Sequence, residues 1–160
     1  MTNELKQLIE QQINKEFYSA YFYYGIAEYY RSKGLDGFHA WFEAQAQEEV
    51  EHAEKFAEYL HDREISFRLL PIEAPDCTFA DLREPLARQV EHEKLVTSLI
   101  LAIYQQACDD NDILTRSFLQ WFVTEQLEEE KTAKELLEQY DLFAKDNATG
   151  LYQMNKDLHR

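Results

Sequence analysis

At 160 residues the chain has room for one substantial core, and 31 acidic against 16 basic residues give it a net charge of −15 at neutral pH. That charge argues against nucleic acid, whose phosphates call for a basic surface; an acidic shell suits cations, though it also simply keeps a protein soluble. Four Gly and three Pro leave long uninterrupted segments, which favours helices over many short strands, and no apolar run is long enough to span a membrane.

The opening MTNELKQLIEQQ is polar and amphipathic, without the apolar stretch of a signal peptide. Cys77 and Cys108 stand at no zinc or redox-motif spacing, and we read both as reduced thiols of a cytoplasmic protein, with a disulfide between them as the alternative.

In chain order, a first helix is expected over 3–32, stopped by Lys33-Gly34. A second runs over 36–61. The stretch from Asp62 to Ala80 holds Pro71 and Pro75 and lacks helical periodicity. A third helix is expected over 82–108, with Asp81 as N-cap of a capping-box variant through Glu84 and with Pro85 in its first turn. Asp109, Asp110, Asn111 and Asp112 break the pattern, and a fourth helix follows over 113–140. After the polar stretch Lys145 to Gly150, a short amphipathic helix fits 151–159.

Short turns make the first and second helices, and the third and fourth, antiparallel hairpins. A helix of twenty-six residues is roughly 39 Å long at ~1.5 Å per residue. The link of about nineteen residues before the third helix can travel that distance at about 3.3 Å per residue, which makes the second and third helices parallel. The whole chain then reads as a single all-α domain, 1–160, a four-helix bundle with one long crossover.

Each helix carries a core-facing stripe spaced alternately by three and four residues. These are Leu5, Ile9, Gln12, Glu16, Ser19, Tyr23, Ile26, Tyr30; Phe38, Phe42, Gln45, Glu49, His52, Phe56, Tyr59; Leu86, Val90, Glu93, Thr97, Ile100, Tyr104, Ala107; and Leu119, Phe122, Gln126, Glu129, Ala133, Leu136, Tyr140. Every stripe turns polar or acidic near its middle, at matching heights. Any one of these glutamates alone reads as a solvated or snorkelling residue, and Glu49–His52 alone as an incidental pair on one helix face. Together they place several carboxylates and one imidazole inside an apolar core. Uncompensated burial of that charge is unsustainable. Two divalent cations would supply the missing charge, and oxygen ligands with a single imidazole suit iron or manganese better than zinc.

These residues resemble those of a non-haem bacterial ferritin over nearly the whole chain. The specific pieces are Asn14-Lys15-Glu16 leading to Tyr23, AQEEVEH at 46–52, Glu91-His92-Glu93, FLQWFVTEQLEEE at 118–130, and Gly150-Leu151-Tyr152, which is similar to the start of the family's short fifth helix. The resemblance implies a ferritin-like bundle in which Glu16, Glu49 and His52 bind a first iron. Glu49 would bridge to a second iron held by Glu93 and Glu129, with Gln126 near the oxygen-binding side and Tyr23 hydrogen-bonding from behind. Glu48, Glu125 and Glu128 match a neighbouring third iron site of this branch; a solvated acidic face is the alternative. Haem is not implied: bacterioferritins repeat Glu-x-x-His on the fourth helix and bind haem through a Met, whereas here the fourth helix has no His and the methionines are Met1 and Met154. Rubrerythrins add a Cys-x-x-Cys module that is absent, and the DNA-protecting mini-ferritins build their site between subunits.

The implied activity is a ferroxidase that oxidises Fe(II) with O2 or H2O2 and stores ferric oxyhydroxide in a hollow homo-oligomer of twenty-four subunits. The fifth helix would sit near the four-fold axis. Asp109, Asp110 and Asp112 would stand at three-fold pores, unless they are simply a solvated turn. A di-iron peroxidase or oxidase that does not mineralise is the alternative, and a helical scaffold without chemistry leaves the buried carboxylates unexplained. The surplus of tyrosines at Tyr18, Tyr21 and Tyr24 has no reading beyond packing.

Overall fold

The computed structural model describes residues 1–158, so His159, the last residue of the expected fifth helix, lies outside the described residues. Helix α1 spans Asn3–Ser32, α2 Asp36–Asp62, α3 Glu84–Asp109 and α4 Ile113–Gln139; a π-helical turn covers Tyr140–Ala144, and α5 covers Ala148–Leu158. Among the described residues there is no strand.

The ends of these helices follow from local chemistry. The Thr2 side chain accepts from the Leu5 N–H at the start of α1. Gly34, at φ 75°, closes its far end, where the Leu35 N–H reaches back to the Tyr30 carbonyl. Asn111, at φ 55°, closes α3, and Asp112 then caps α4 by accepting from the Thr115 N–H. Helix α3 begins two residues later than the sequence suggested. Asp81 Oδ1 accepts from the Arg83 and Glu84 N–H groups, and the Glu84 carboxylate accepts from the Ala80 N–H, so the capping box is spent on the turn that leads into the helix.

Helices α1 and α2 pack extensively on each other, as do α3 and α4, while α1 and α3 meet along a looser seam. Residues 63–83 run without helix along α1. Glu10 accepts from the Arg68 N–H, Asn14 Nδ2 donates to the Leu70 and Pro71 carbonyls at 3.1 and 2.9 Å, and Tyr30 OH donates to the Leu82 carbonyl at 2.7 Å. The contacts climb from the first third of α1 to its end, so the crossover traverses the bundle and α2 and α3 run parallel.

The stripes read from α1 and α4 are buried throughout, and in α2 all but the half-buried Tyr59, beyond which Leu60 takes over. In α3 only alternate members are buried: Leu86, Glu93, Ile100 and Ala107. Val90, Thr97 and Tyr104 are half-exposed, and Gln89, Val96 and Ile103 are buried in their place. The helix is rotated so that its intermediate core positions each fall one residue earlier.

The apolar core is divided. One cluster gathers Tyr23, Ile26, Tyr30, Phe38, Phe42, Leu86 and Leu136. The other gathers Leu5, Ile9, Ile13, Phe56, Leu60, Ile100 and Phe122. Between them lies a polar layer.

Helix α5 begins earlier than expected because Asn147 caps it, its Oδ1 accepting from the Gly150 N–H at 3.0 Å. It docks on the start of α2, which has no side-chain cap of its own: Asn155 Oδ1 accepts from the Gly37 and Phe38 N–H groups at 2.8 and 3.2 Å. Gly37 is required there, since a Cβ would lie 1.7 Å from the Asn155 carbonyl oxygen.

Candidate metal centre

The layer between the two apolar clusters is built from one turn of each long helix. Glu16 from α1, Glu49 and His52 from α2, Glu93 from α3, and Gln126 and Glu129 from α4 are all at most 5 % exposed. Among the described residues no lysine or arginine pairs with these carboxylates; the basic group facing them is His52, whose Nδ1 is 3.3 Å from Glu49 Oε2.

The ligand atoms of Glu16, Glu49 and His52 all lie within 4.8 Å of one another, close enough for one metal ion to engage all three. Gln12 Nε2 donates to Glu16 Oε1 at 2.7 Å, while Glu16 Oε2 is buried with no partner. An orphaned buried carboxylate oxygen facing a second carboxylate and an imidazole is a vacancy in the hydrogen-bond inventory that a cation fits.

Glu93 is held differently. Its Oε1 accepts from Tyr23 OH, and its Oε2 accepts from Gln126 Nε2 at 3.1 Å. The same Gln126 amide reaches Thr97 Oγ1 at 3.2 Å, and the Thr97 hydroxyl donates to the Glu93 carbonyl. The sequence-predicted Tyr23 and Gln126 thus both touch Glu93, fixing its carboxylate from two sides.

Burial raises the pKa of Glu16, and the neighbouring Glu49 raises it further. Burial likewise raises Glu49 and Glu93. Glu129 is pushed up to about 9 by burial and then by the charges of Glu93, Glu48 and Glu125. The apo layer therefore holds protons that a cation must displace.

A second group with metal-ligand spacing lies beside the first, formed by His52, Glu125 and Glu129; Glu125 Oε1 is 3.9 Å from His52 Nε2. Of the three residues expected at a third site, Glu125 belongs to this group. Glu48 and Glu128 are exposed and stand outside it, and Gln45 Nε2 donates to Glu48. Trp121 meets the His52 ring edge-on at 5.6 Å, with Lys55 Nζ 4.2 Å from its own ring centre.

Asp112 is committed to the α4 cap and to Arg63 at 3.2 Å, and Asp110 accepts from Thr2 and Gln106. Asp109 is exposed and accepts from Gln105. Cys77 and Cys108 are free thiols.

Sequence reasoning passed over two buried polar residues of α3. His92 is buried with Nε2 2.7 Å from Ser19 Oγ. The Ser19 hydroxyl donates to the Lys15 carbonyl, so His92 Nε2 carries the proton in their shared bond. Burial, with Lys15 and Arg88 nearby, lowers its pKa to about 4 and keeps the ring neutral. Gln89 is fully buried with both amide atoms unpartnered. The signal that could have found them was the apolar pair Val96 and Ile103, which sets the true phase of the helix.

A four-helix bundle with one long crossover and mid-helix carboxylates converging from every helix defines a carboxylate metal-binding bundle. The chain belongs to the ferritin family: the family model described as "Ferritin-like domain" matches residues 6–143. It is similar to the bacterial non-heme ferritin of Campylobacter jejuni, with 32% identity over 152 residues covering 95% of this chain and 90% of that protein. A bacterial non-heme ferritin of Escherichia coli O6:H1 is also 32% identical, over 97% of this chain and 93% of its own length. Among solved structures, an open-pore ferritin of the archaeon Archaeoglobus fulgidus superposes with a TM-score of 0.96 at 34% identity, covering 99% of this chain and 98% of that one.

Proposed function

We propose that this chain, acting as one ferritin-like domain over 1–160, stores iron and oxidises Fe(II) at the buried carboxylate layer. The observation that carries the reading is the meeting of Glu16, Glu49, Glu93 and Glu129 from four helices, with no lysine or arginine to balance them among the described residues. Two ferrous ions supply that balance. Glu16, Glu49 and His52 hold the first, and Glu49, Glu93 and Glu129 the second, with Gln126 and Tyr23 positioning Glu93.

Each ferrous ion gives up one electron. Together the pair reduces dioxygen to hydrogen peroxide with two protons, or hydrogen peroxide to two waters with two protons. The carboxylates favour the higher ferric charge, and so favour oxidation over release. The same carboxyl groups give up their protons as metal enters, so the two protons consumed by the oxidant come from solvent.

Glu48, Glu125 and Glu128 lead away from the layer as a third, weaker cation position, with His52 and Glu129 nearest to Glu125. Ferric ions pass along this face to grow as hydrated oxide inside a shell of twenty-four copies in the cytoplasm. Exposed Tyr21, Tyr24 and Ile72 on one side, and Leu142, Phe143 and Tyr152 near α5, supply apolar surface that such an assembly covers. Of the aspartates at the α3–α4 turn, the exposed Asp109 is the one that draws cations toward a pore.

Aerobic addition of ferrous iron to metal-free protein, followed optically with peroxide measured in parallel, tests the activity; oxidation no faster than in buffer contradicts it. A dimer by gel filtration would contradict the shell and leave a di-iron peroxidase or oxidase that does not mineralise.

A further inference from the structure

The metal layer is flanked on two sides by very different chemistry. On the α2–α4 side stand Glu48, Glu125 and Glu128, an acidic approach that attracts cations. On the opposite side, the looser seam between α1 and α3 opens into a pocket of about 230 Å³ lined by Leu8, Gln12, Lys15, Leu99, Ala102 and Ile103 among others, with no carboxylate in its wall. Gln12 is 2 % exposed and connects this pocket to the centre, since its Nε2 donates to Glu16 Oε1 at 2.7 Å.

We propose that the α1–α3 pocket admits the small uncharged oxidant, dioxygen or hydrogen peroxide, to the metal centre through Gln12, while cations arrive from the α2–α4 face. The inference rests on the oxidase reading given above. Three observations carry it. The wall sets Leu8, Leu99, Ala102 and Ile103 beside the neutral amides Gln11, Gln12 and Asn14, which suits a small uncharged molecule and offers a hydrated divalent ion no anionic ligand to replace its water. Lys15 stands at the rim with its ammonium 4.7 Å from the Tyr18 ring centre, a fixed positive charge that repels a ferrous ion and leaves a neutral molecule unaffected. Gln12 lines the pocket and is bonded to Glu16, the carboxylate with the orphaned oxygen, so one side chain separates the pocket from the place of the first ion.

Separate routes have a functional consequence: oxidant approaches without crossing the path of incoming cations, and each supply can limit the rate independently.

Ala102 is exposed at the pocket mouth, so Ala102→Trp narrows the entrance without disturbing the core. Assembled wild-type and A102W protein would be loaded anaerobically with Fe(II) and then mixed in stopped flow with dioxygen or with hydrogen peroxide. Unchanged Fe(II) loading is expected, with oxidation slowed by about tenfold, as when a gate rather than chemistry limits turnover. Slowing with both oxidants assigns the pocket to both; slowing with dioxygen alone makes it a gas route. Unchanged oxidation with both oxidants, or Fe(II) loading slowed to the same extent, overturns the proposal. Crystals of wild-type protein pressurised with xenon give a reading independent of turnover: xenon bound against Gln12 in wild type and absent in A102W is expected, and no xenon in the seam overturns it. If wild-type protein fails to oxidise iron at all, the oxidase reading falls and the oxidant route with it, whereas a failure confined to the pocket leaves that reading standing.

Discussion

Glu16, Glu49, Glu93 and Glu129 cost the metal-free protein stability, because burial disfavours their charged forms. Glu129 titrates in the fold at about 9, well above the unfolded value of about 4.3. A carboxylate whose folded pKa is raised binds its proton more tightly in the native state, so its stabilisation is complete below the unfolded pKa and is lost as pH rises toward the folded one. The melting temperature of metal-free protein should therefore fall between about pH 4.3 and pH 9, and Glu129→Gln should flatten that fall. Loading with a divalent cation should release protons and weaken toward acid pH, measurable by titration in buffers of different ionisation enthalpy. Glu129→Met replaces a buried ionisable carboxyl, held protonated in the fold until about pH 9, by a packed side chain. It should raise the melting temperature of metal-free protein above pH 8, by roughly 1 kcal/mol or more of stability, while removing the second ion. Glu49→Ala or His52→Ala should slow the fast oxidation phase by about two orders of magnitude without changing assembly; an unchanged rate would remove them from the centre.

At the scale of the helix, most of the site was legible because a polar residue inside an apolar three-four repeat stands out. Three stripes were read in phase, and the exception is instructive. In α3 the apolar Val90 faces partly outward and the polar Gln89 is buried, so hydropathy misled at that turn, whereas Val96 and Ile103, buried in place of Thr97 and Tyr104, carried the true phase that sets Ser19 opposite His92. The ends of α1 and α3 were legible through Gly34 and Asn111, which take left-handed backbone. The start of α5 was hidden because Gly150 reads as a breaker. Its glycine serves close approach instead, since a Cβ there would lie 1.6 Å from the Phe143 carbonyl oxygen. The tie between α5 and α2 was not legible at all, joining residues far apart in the chain. Asn155→Ala should cost about 1 kcal/mol, the usual loss for a helix cap. Gly37→Ala should cost more and release α5, seen as faster hydrogen exchange in Ala148–Leu158 while α1 stays protected.

Over the whole molecule, two apolar clusters clamp a polar layer, and that arrangement joins stability to function. The clusters supply the burial that pays for four carboxylates, and the crossover strapped along α1 sets the parallel pairing that brings Glu49 and Glu93 to one height. The asymmetry of the layer was only partly legible: the sequence distinguishes Gln126 from a carboxylate, but not that Gln126 and Tyr23 both hold Glu93 while Glu16 keeps a free oxygen. The central claim is that this layer binds two ferrous ions. Anaerobic soaking of crystals with Fe(II), followed by anomalous diffraction at the iron edge, tests it most directly. Two iron peaks are expected between the four helices, one against Glu16, Glu49 and His52 and one against Glu49, Glu93 and Glu129. Iron confined to the exposed acidic surface, with the layer empty, would contradict it.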